Sequence, residues 1–357
     1  MILDPADTSL HEARVRELFR DSFGHEAPLG WFDWKYQVQR GVSRQLLDSR
    51  GQLIAHYAGF PRKMIGLAQH LVEGGSEALD TVSEFEVLQI GDVMVAPRHR
   101  GVFGSRGSFA ALARDFIDEH VGSQEPIANR SYRWIYGFPN DRHLKIGEYL
   151  GLYAPVASMH ELVWPISPLQ YRMSHEANPI RLVADRLLQD QTSFDAWSRK
   201  AVEALVKTRG VCTGRRNALW WDQRFGGHDH YHLFCYAKKD SLIEKVDAWG
   251  SSLKGIFALR FHQRGSQRSS ELLDMIADRD TWPETLRCAM HCAADGGAHV
   301  MRCWISRPAA SFFETISELA NVQTNIETLP FLLASGIWSA PSLHDQLWVM
   351  GGDTDFR

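Results

Sequence analysis

The chain has 357 residues, a length that favours two domains over one. A hydrophobic fraction of 44% and a charged fraction of 23% are those of an ordinary folded protein, which excludes a disordered or fibrous chain. The net charge of −4 excludes a global attraction to nucleic acids or acidic membranes, so neither is expected as a partner.

The compartment is predicted from the first residues and the cysteines. The opening stretch, MILDPADTSLHEARVRELF, lacks the basic and apolar segments of a secretion signal. The apolar runs are also shorter than the ~20 residues of a membrane helix. Five cysteines, an odd number, lie in the second half of the chain: Cys212, Cys235, Cys288, Cys292 and Cys303. We expect a cytoplasmic protein with reduced, buried thiols.

No metal site is expected. Cys288 and Cys292 lie one helical turn apart, which is typical of core positions, and their spacing matches no zinc motif. His228, His230 and His232 of HDHYH could chelate a metal, but we interpret them as one half-exposed face of a strand.

In the first half, the predicted elements begin with a helix that carries the apolar residues Val15, Leu18, Phe19 and Phe23 and is closed by Gly24. The aromatic segment GWFDWKYQ comes after it. Two extended runs then flank the sequence Ser-Arg-Gly at 49–51, which predicts a hairpin turn. Pro61 is predicted to end the second run.

A strand is predicted at about 87–96, and a helix after the loop at its end. This helix has one apolar stripe: Phe109, Leu112, Ala113, Phe116 and Ile117. The aromatic strand YRWIYGF comes next, and then a short helix that is capped by Asn140 or Asp141 and stopped at Gly151. This order predicts an α/β fold with a mixed sheet and helices on its faces.

The second half echoes the first. Two helices are predicted at about 178–190 and 195–208. WFDWKYQ, beginning at Trp31, resembles WWDQRFG, beginning at Trp220, and both precede strand-like runs. The repeated order of elements indicates a duplication, in which the second copy lacks a glycine-rich loop between Arg279 and Leu286.

The stretch APRHRGVFGSRGSF, between the predicted strand and helix, combines three arginines with glycines. Unpaired amides at a helix start and the helix dipole attract anions, and arginine suits phosphate geometry. The loop is therefore a candidate phosphate cradle, with a solvated turn as the alternative. It is not a nucleotide-hydrolase loop, because it lacks the Gly-Lys-Ser/Thr of that motif, and its glycine spacing differs from a dinucleotide fingerprint.

GDVMVAPRHRG…GSFAALA resembles the acetyl-CoA-binding segment of the GNAT superfamily of N-acetyltransferases, and YGFPNDRHLKIGEYLGL resembles the next strand and helix of that family. The resemblance implies two tandem domains, residues 1–165 with the acyl-CoA site and residues 166–357 with linker helices and a degenerate copy. It implies these cofactor-binding residues: Met94, Val95, Arg98, Arg100, Gly101, Val102, Phe103, Gly104, Ser105, Arg106, Gly107 and Asn140. Phe103 departs from the family pattern, which has a small residue there.

The same resemblance implies transfer of an acetyl group from acetyl-CoA to a primary amine of a small molecule, such as an amino sugar or a biosynthetic intermediate. The candidate bases are Glu86 and Asp92, with Glu84 as a further candidate, although Asp92 could instead be structural. Tyr149 matches the region of the family's proton-donating tyrosine, and Tyr136 is the fallback. The alternatives are an aminoacyl-tRNA-dependent peptidoglycan-type transferase and a non-catalytic CoA-binding or assembly module.

Overall fold

The structure is a computed structural model. It describes residues 8–67, 81–100, 107–121, 132–166, 180–182, 184–226, 230–237, 253–319, 325–335, 343 and 346–354. The chain divides into two compact units. The first unit consists of Met1–Lys63, Phe85–Val156 and Phe331–His344, and the second of Met64–Glu84, Ala157–Pro330 and Asp345–Arg357. Within the described part of the chain, helices long and apolar enough to cross a membrane are absent.

The first helix is confirmed. Helix α1 spans Thr8–Phe23 and buries Val15, Leu18 and Phe19. Phe23, the fourth apolar residue predicted for this face, is instead 50% exposed in the last turn, where its ring packs on Phe19. It ends at Gly24, whose φ of +78° is a conformation that glycine adopts without strain. The aromatic segment after it forms a π-helical turn, Asp33–Val38, rather than a strand or a regular helix.

The predicted hairpin is also confirmed. Strands β1 (Val42–Leu47) and β2 (Leu53–Leu67) are antiparallel, and Gly51 turns between them with a φ of +75°. The expectation that Pro61 ends the second strand is wrong, because β2 continues for six residues beyond it to Leu67. The pairing with β1 stops at Gly59, so the missing N–H of Pro61 interrupts no bond of that ladder.

The next elements come in the predicted order. Strand β3 spans Val82–Val95, five residues longer at its start than predicted, and helix α2 spans Ser108–His120 with the expected stripe packed inward. Strand β4 (Ile135–Gly137), helix α3 (Asp141–Tyr149) and strand β5 (Ala154–Pro165) complete the series.

The sheet of the first unit is mixed, as predicted. Its neighbouring strands are β1, β2, β3, β4 and then β12, which spans Asn325–Ser335. Strand β4 is parallel to β3 and antiparallel to the end of β12. One face packs against α1 and the π-helical turn, and the other packs against α2. The sheet of the first unit therefore lies between two separate apolar clusters, one on each face.

The second unit begins with short elements and one long helix: β6 (Ile180–Leu182), α4 (Ala184–Gln189), α5 (Gln191–Arg209), β7 (Cys212–Gly214) and α6 (Ala218–Phe225). The predicted helix at 178–190 is thus partly wrong, because its first residues form β6 and pair with β8. The other elements are β8 (Tyr231–Ala237), β9 (Leu253–Arg264), β10 (Gln267–Ala277), α7 (Trp282–Asp295), β11 (Val300–Ser306), α8 (Arg307–Leu319) and β13 (Leu347–Trp348).

In this unit the neighbouring strands are ordered β5, β11, β10, β9, β8 and β6. All five cysteines are buried, as expected, and none of them lies in a disulfide bond. Within the described ranges, no three His, Cys, Asp or Glu side chains are grouped as metal ligands would be. His232 lies in β8 against the ring of Phe261, His230 precedes the strand, and His228 lies outside the described residues.

Candidate functional site

The parallel ladder between β3 and β4 is short. It joins Leu88–Ile90 to Ile135–Gly137, and it ends at the pair Ile90 and Gly137. Strand β3 nevertheless runs on for five residues to Val95. The last residues of β3 therefore lie beyond the ladder with β4, and we call this place the first strand split.

A backbone irregularity lies two residues beyond the end of this ladder. Asp92 has a φ of +51°, which is rare for a residue other than glycine. In a regular strand Ile90 and Val93 would face opposite sides of the sheet, yet Ile90, Val93 and Val95 all pack on the α2 side, and Met94 packs on the α1 side. Asp92 thus acts as a bulge that reverses the side-chain alternation of β3 at the split.

The Asp92 carboxylate is held by two groups from the π-helical turn. Lys35 Nζ donates to Asp92 Oδ1 at 2.7 Å, and the Tyr36 hydroxyl donates to Asp92 Oδ2 at 3.1 Å. The Lys35 and Asp92 side chains are only 5% and 7% exposed. A buried carboxylate requires such partners, because removing an ion from water costs several kcal/mol. The contacts fix both the carboxylate and the bulge.

His56 of β2 completes this cluster. Its Nδ1 lies 2.9 Å from the Asp92 carbonyl oxygen, and since a carbonyl only accepts, Nδ1 carries the proton. The Nε2 atom lies 3.4 Å from the Tyr36 hydroxyl. Burial lowers the pKa of His56 to about 4, although the Asp92 carbonyl opposes the shift. The imidazole is therefore neutral at pH 7, with an unprotonated Nε2.

The start of the arginine-glycine loop is a short 3-10 turn, Pro97–His99. Arg98 contacts the hairpin turn, where it donates to Gln52 Oε1 and lies 3.8 Å from Asp48. Arg100 donates to the Val95 carbonyl at 2.7 Å and to the Ser22 carbonyl at 3.1 Å. The two guanidinium groups thus hold the 3-10 turn against the hairpin turn, the end of β3 and the end of α1.

Gly101, Val102, Phe103, Gly104, Ser105 and Arg106 lie outside the described residues. Gly107 is the N-cap of α2, so the first turn of this helix has no side-chain cap. In that turn Phe109 stacks on His143 of α3, with 6.1 Å between ring centroids. Asn140 caps α3 by accepting from the His143 amide at 2.9 Å. The starts of α2 and α3 therefore meet beside the split.

The candidate bases lie at different distances from the first strand split. Glu86 is exposed, and its carbonyl accepts from the Arg133 amide at 2.9 Å, before the ladder begins. It precedes Asp92 by six residues, which at about 3.3 Å per residue is about 20 Å along the strand. Glu84 is paired with Arg215 at 3.0 Å. Of these carboxylates, Asp92 is the one beside the split.

The two candidate proton-donating tyrosines differ in their exposure to solvent. Tyr149, the last residue of α3, is 81% exposed, whereas Tyr136 is 3% exposed and packs on Phe138. Tyr57 of β2 is fully buried and Tyr153 is partly buried, and their hydroxyls share a hydrogen bond of 2.7 Å. Neither residue was a candidate proton donor from the sequence patterns. Burial is the main cause that raises the pKa of both phenols, so both are protonated at neutral pH.

Gly147 is the residue from which a large side chain packed against α3 could have been predicted. It lies inside α3, where glycine is unfavourable unless a neighbour needs the space. A Cβ at this position would lie 1.8 Å from Cδ2 of the Tyr153 ring. The Tyr153 ring also lies 6.3 Å from Phe109, in the first turn of α2. The ring is thus enclosed between α3 and the start of α2.

No protein-family profile and no curated protein matches this sequence. Solved structures do match. A GCN5-related N-acetyltransferase from Anabaena variabilis ATCC 29413 superimposes with a TM-score of 0.62 at 10% identity, over 94% of this chain and 72% of that chain. A GCN5-related N-acetyltransferase from Kribbella flavida gives 0.60 at 13% identity, over 96% and 72%.

A conserved protein of unknown function from Enterococcus faecalis V583 gives 0.61 at 11% identity, over 96% of this chain and 73% of that chain. Such low identities carry information about the fold alone. The chain has the fold of the GCN5-related N-acetyltransferases.

Proposed function

We propose that the protein is an N-acyltransferase that moves an acetyl group from acetyl-CoA to a primary amine of a small molecule. The observation that carries the proposal is the first strand split, where β3 continues past its ladder with β4 toward the uncapped start of α2. An extended ligand can pair with a strand edge there, while its phosphates meet helix N–H groups. The likeness to N-acetyltransferase structures supports the same interpretation.

In this proposal the pantetheine arm runs along Met94 and Val95. The Val95 carbonyl already accepts from Arg100, but a carbonyl has two lone pairs and can accept from the arm as well. The pyrophosphate lies at the start of α2 and in the loop 101–107. Arg98 and Arg100 act there by holding the turn in place, and Asn140 acts by fixing the start of α3.

The reaction needs a neutral amine. Its nitrogen attacks the thioester carbonyl, the C–N bond forms, the C–S bond breaks, and the amine gives up a proton. We assign Asp92 as the group that receives this proton, directly or through water, because it lies beside the split and Glu86 lies about 20 Å along the strand. Lys35 and Tyr36 then orient the carboxylate. An amide near Val95 stabilises the oxyanion.

The departing thiolate needs a proton. Tyr149 remains the prediction from the family resemblance, but its hydroxyl is in solvent. The pair of Tyr57 and Tyr153 is the alternative donor, because both phenols are protonated and the Tyr153 ring packs against the start of α2. Replacing each tyrosine separately distinguishes the two.

The experiment that tests the function uses the full chain. Acetyl-CoA is titrated by isothermal calorimetry, and release of free CoA thiol is measured with a panel of amino sugars, polyamines and amino acids. Binding together with amine-dependent thiol release is the expected result. No heat at millimolar acetyl-CoA would overturn the proposal, whereas binding without release across the panel would favour a non-catalytic CoA-binding module. Acceptance of an aminoacyl-tRNA donor in place of acetyl-CoA would favour a peptidoglycan-type transferase.

A further inference from the structure

The second unit contains a strand split like that of the first. The parallel ladder between β10 and β11 joins Ser269–Glu271 to Val300–Arg302, while β10 runs on to Ala277. The pairing of β10 with β9 shifts register between Leu272 and Asp274, so the irregularity lies two residues beyond the ladder, as it does at Asp92. We call this place the second strand split.

The two splits differ in the connection from the strand to the next helix. In the first unit, twelve residues, 96–107, connect β3 to α2, and they include the arginine-glycine loop. In the second unit four residues, 278–281, connect β10 to α7, and none of them is a glycine. The short connection is also tied down, because Asp278 accepts from Trp197 Nε1 at 2.8 Å and from Lys254 Nζ at 3.0 Å. It leaves no loop that could enclose a pyrophosphate.

The β11 side of the second split is occupied by the chain itself. The occupant is the segment 346–354, which we call the C-terminal segment. The Ser306 amide donates to the Val349 carbonyl at 2.9 Å, and the Val349 amide donates to Ser306 Oγ at 3.0 Å. Met350 forms an antiparallel bridge with Ile305 and is fully buried. An extended backbone therefore lies on the edge of β11 just beyond the end of the ladder.

The same segment also covers the β10 side. A Cβ at Gly352 would lie 3.1 Å from the Leu273 carbonyl oxygen and 2.9 Å from the Phe225 ring, so only glycine fits closely here. The buried Arg216 then joins the segment to β10, because it donates to Asp274 at 2.9 Å and to Asp353 at 2.5 Å. Arg216 thus clamps the segment over the bulge of β10.

We propose that the C-terminal segment is a built-in ligand of the second strand split, and that the chain consequently has one acyl-CoA site, in the first unit. The count of one site depends on the proposed function, but the occupation of the second split does not. The segment pairs with the edge of β11 in the way that an extended ligand would, so an acyl-CoA arm could enter only by displacing it. The chain keeps the repeated architecture but offers a single place for the donor.

The test combines calorimetry with amide hydrogen exchange on the full chain. Gly352→Ala and Gly351→Ala form a matched pair, because a Cβ at Gly351 meets its nearest atom at 3.7 Å and is tolerated. We expect one acetyl-CoA per wild-type chain and slow exchange of the Val349 amide, with or without acetyl-CoA. Gly352→Ala should speed exchange at Val349 by about tenfold or more, and Gly351→Ala should leave it unchanged.

Two acetyl-CoA molecules per wild-type chain would overturn the inference. So would faster exchange at Val349 on adding acetyl-CoA, or wild-type exchange as fast as in an unstructured peptide. If acetyl-CoA does not bind at all, the proposed function fails, but the exchange rates of the wild-type chain still decide whether the segment occupies the split.

Discussion

Lys35 and Asp92 form a buried ion pair of 2.7 Å between residues 57 positions apart in the chain. Lys35 belongs to the aromatic π-helical turn, and Asp92 is the bulge of β3 beside the first strand split. The pair therefore holds the strand in its irregular conformation at the place where the proposed chemistry occurs. Its loss should affect both stability and activity, and the two effects can be separated.

Lys35→Met should destabilise the protein strongly. It leaves the Asp92 carboxylate buried beside Tyr36 without its cation, and breaking a buried pair typically costs about 3–5 kcal/mol. Urea unfolding measures the change. The double variant Lys35→Met/Asp92→Asn should recover most of the loss, since it removes both charges while asparagine tolerates the positive φ of residue 92 and can still accept from Tyr36. A loss below about 1 kcal/mol for Lys35→Met would show that water reaches the carboxylate.

Asp92→Asn should lower kcat by about 10²–10⁴-fold if Asp92 receives the amine proton. Glu86→Gln is the matched control, because it makes the same chemical change on the same strand before the ladder, and it should leave kcat within about twofold. Thiol release with a saturating amine measures both. A large loss for Glu86→Gln with an active Asp92→Asn would reassign the base.

Tyr153→Phe should lower kcat more than Tyr149→Phe does. The Tyr153 hydroxyl is enclosed and bonded to Tyr57, whereas Tyr149 is 81% exposed, and removal of a surface hydroxyl usually has little effect. The pH profile of kcat distinguishes a proton donor from a packing residue, because only loss of a donor removes the alkaline limb. An inactive Tyr149→Phe beside an active Tyr153→Phe would restore the assignment made by family resemblance.

Gly147→Ala should destabilise the protein, opposite to the usual effect of alanine in a helix, which is a gain of about 1 kcal/mol. The added Cβ would lie 1.8 Å from the Tyr153 ring, so the ring must move, and such overpacking typically costs about 1–3 kcal/mol. Thermal unfolding measures the change. Glu148→Ala, at an exposed position of the same helix, is the control and should change little. A stabilised Gly147→Ala would mean that Tyr153 does not occupy this space.

Local patterns predicted much of the fold. The apolar stripe from Phe109 to Ile117 and the turn at Gly51 depend on neighbours a few residues away, and both were correct. The bulge at Asp92 and its pairing with Lys35 depend on residues far apart in sequence, so no periodicity indicates them. Tyr153 was missed for the same reason, since its partner Tyr57 lies 96 positions away. Tyr149 was chosen by its place in a motif, which does not fix the exposure of a side chain.

Lowering the pH should lower the free energy of unfolding, because His56 takes up a proton more readily in the unfolded chain. Its pKa is about 4 in the fold and about 6.5 in the unfolded chain, so between these values the unfolded chain binds more protons and stability falls as the pH falls. The stability that the fold gains from this difference in pKa is fully present above about pH 6.5 and is lost as the pH falls toward 4. The loss in the free energy of unfolding is about 3 kcal/mol at most. His120, whose pKa burial also lowers to about 4, acts in the same direction.

Urea unfolding from pH 4.5 to 8 measures this dependence, and His56→Gln isolates the contribution of His56. Glutamine keeps a group that can donate to the Asp92 carbonyl but does not titrate, so the variant should be less stable at pH 8 and lose less on acidification. The difference in slope between wild type and variant should approach one proton near pH 5. Equal slopes would mean that His56 is already accessible to protons in the folded chain, and that the cluster around Asp92 is open to water.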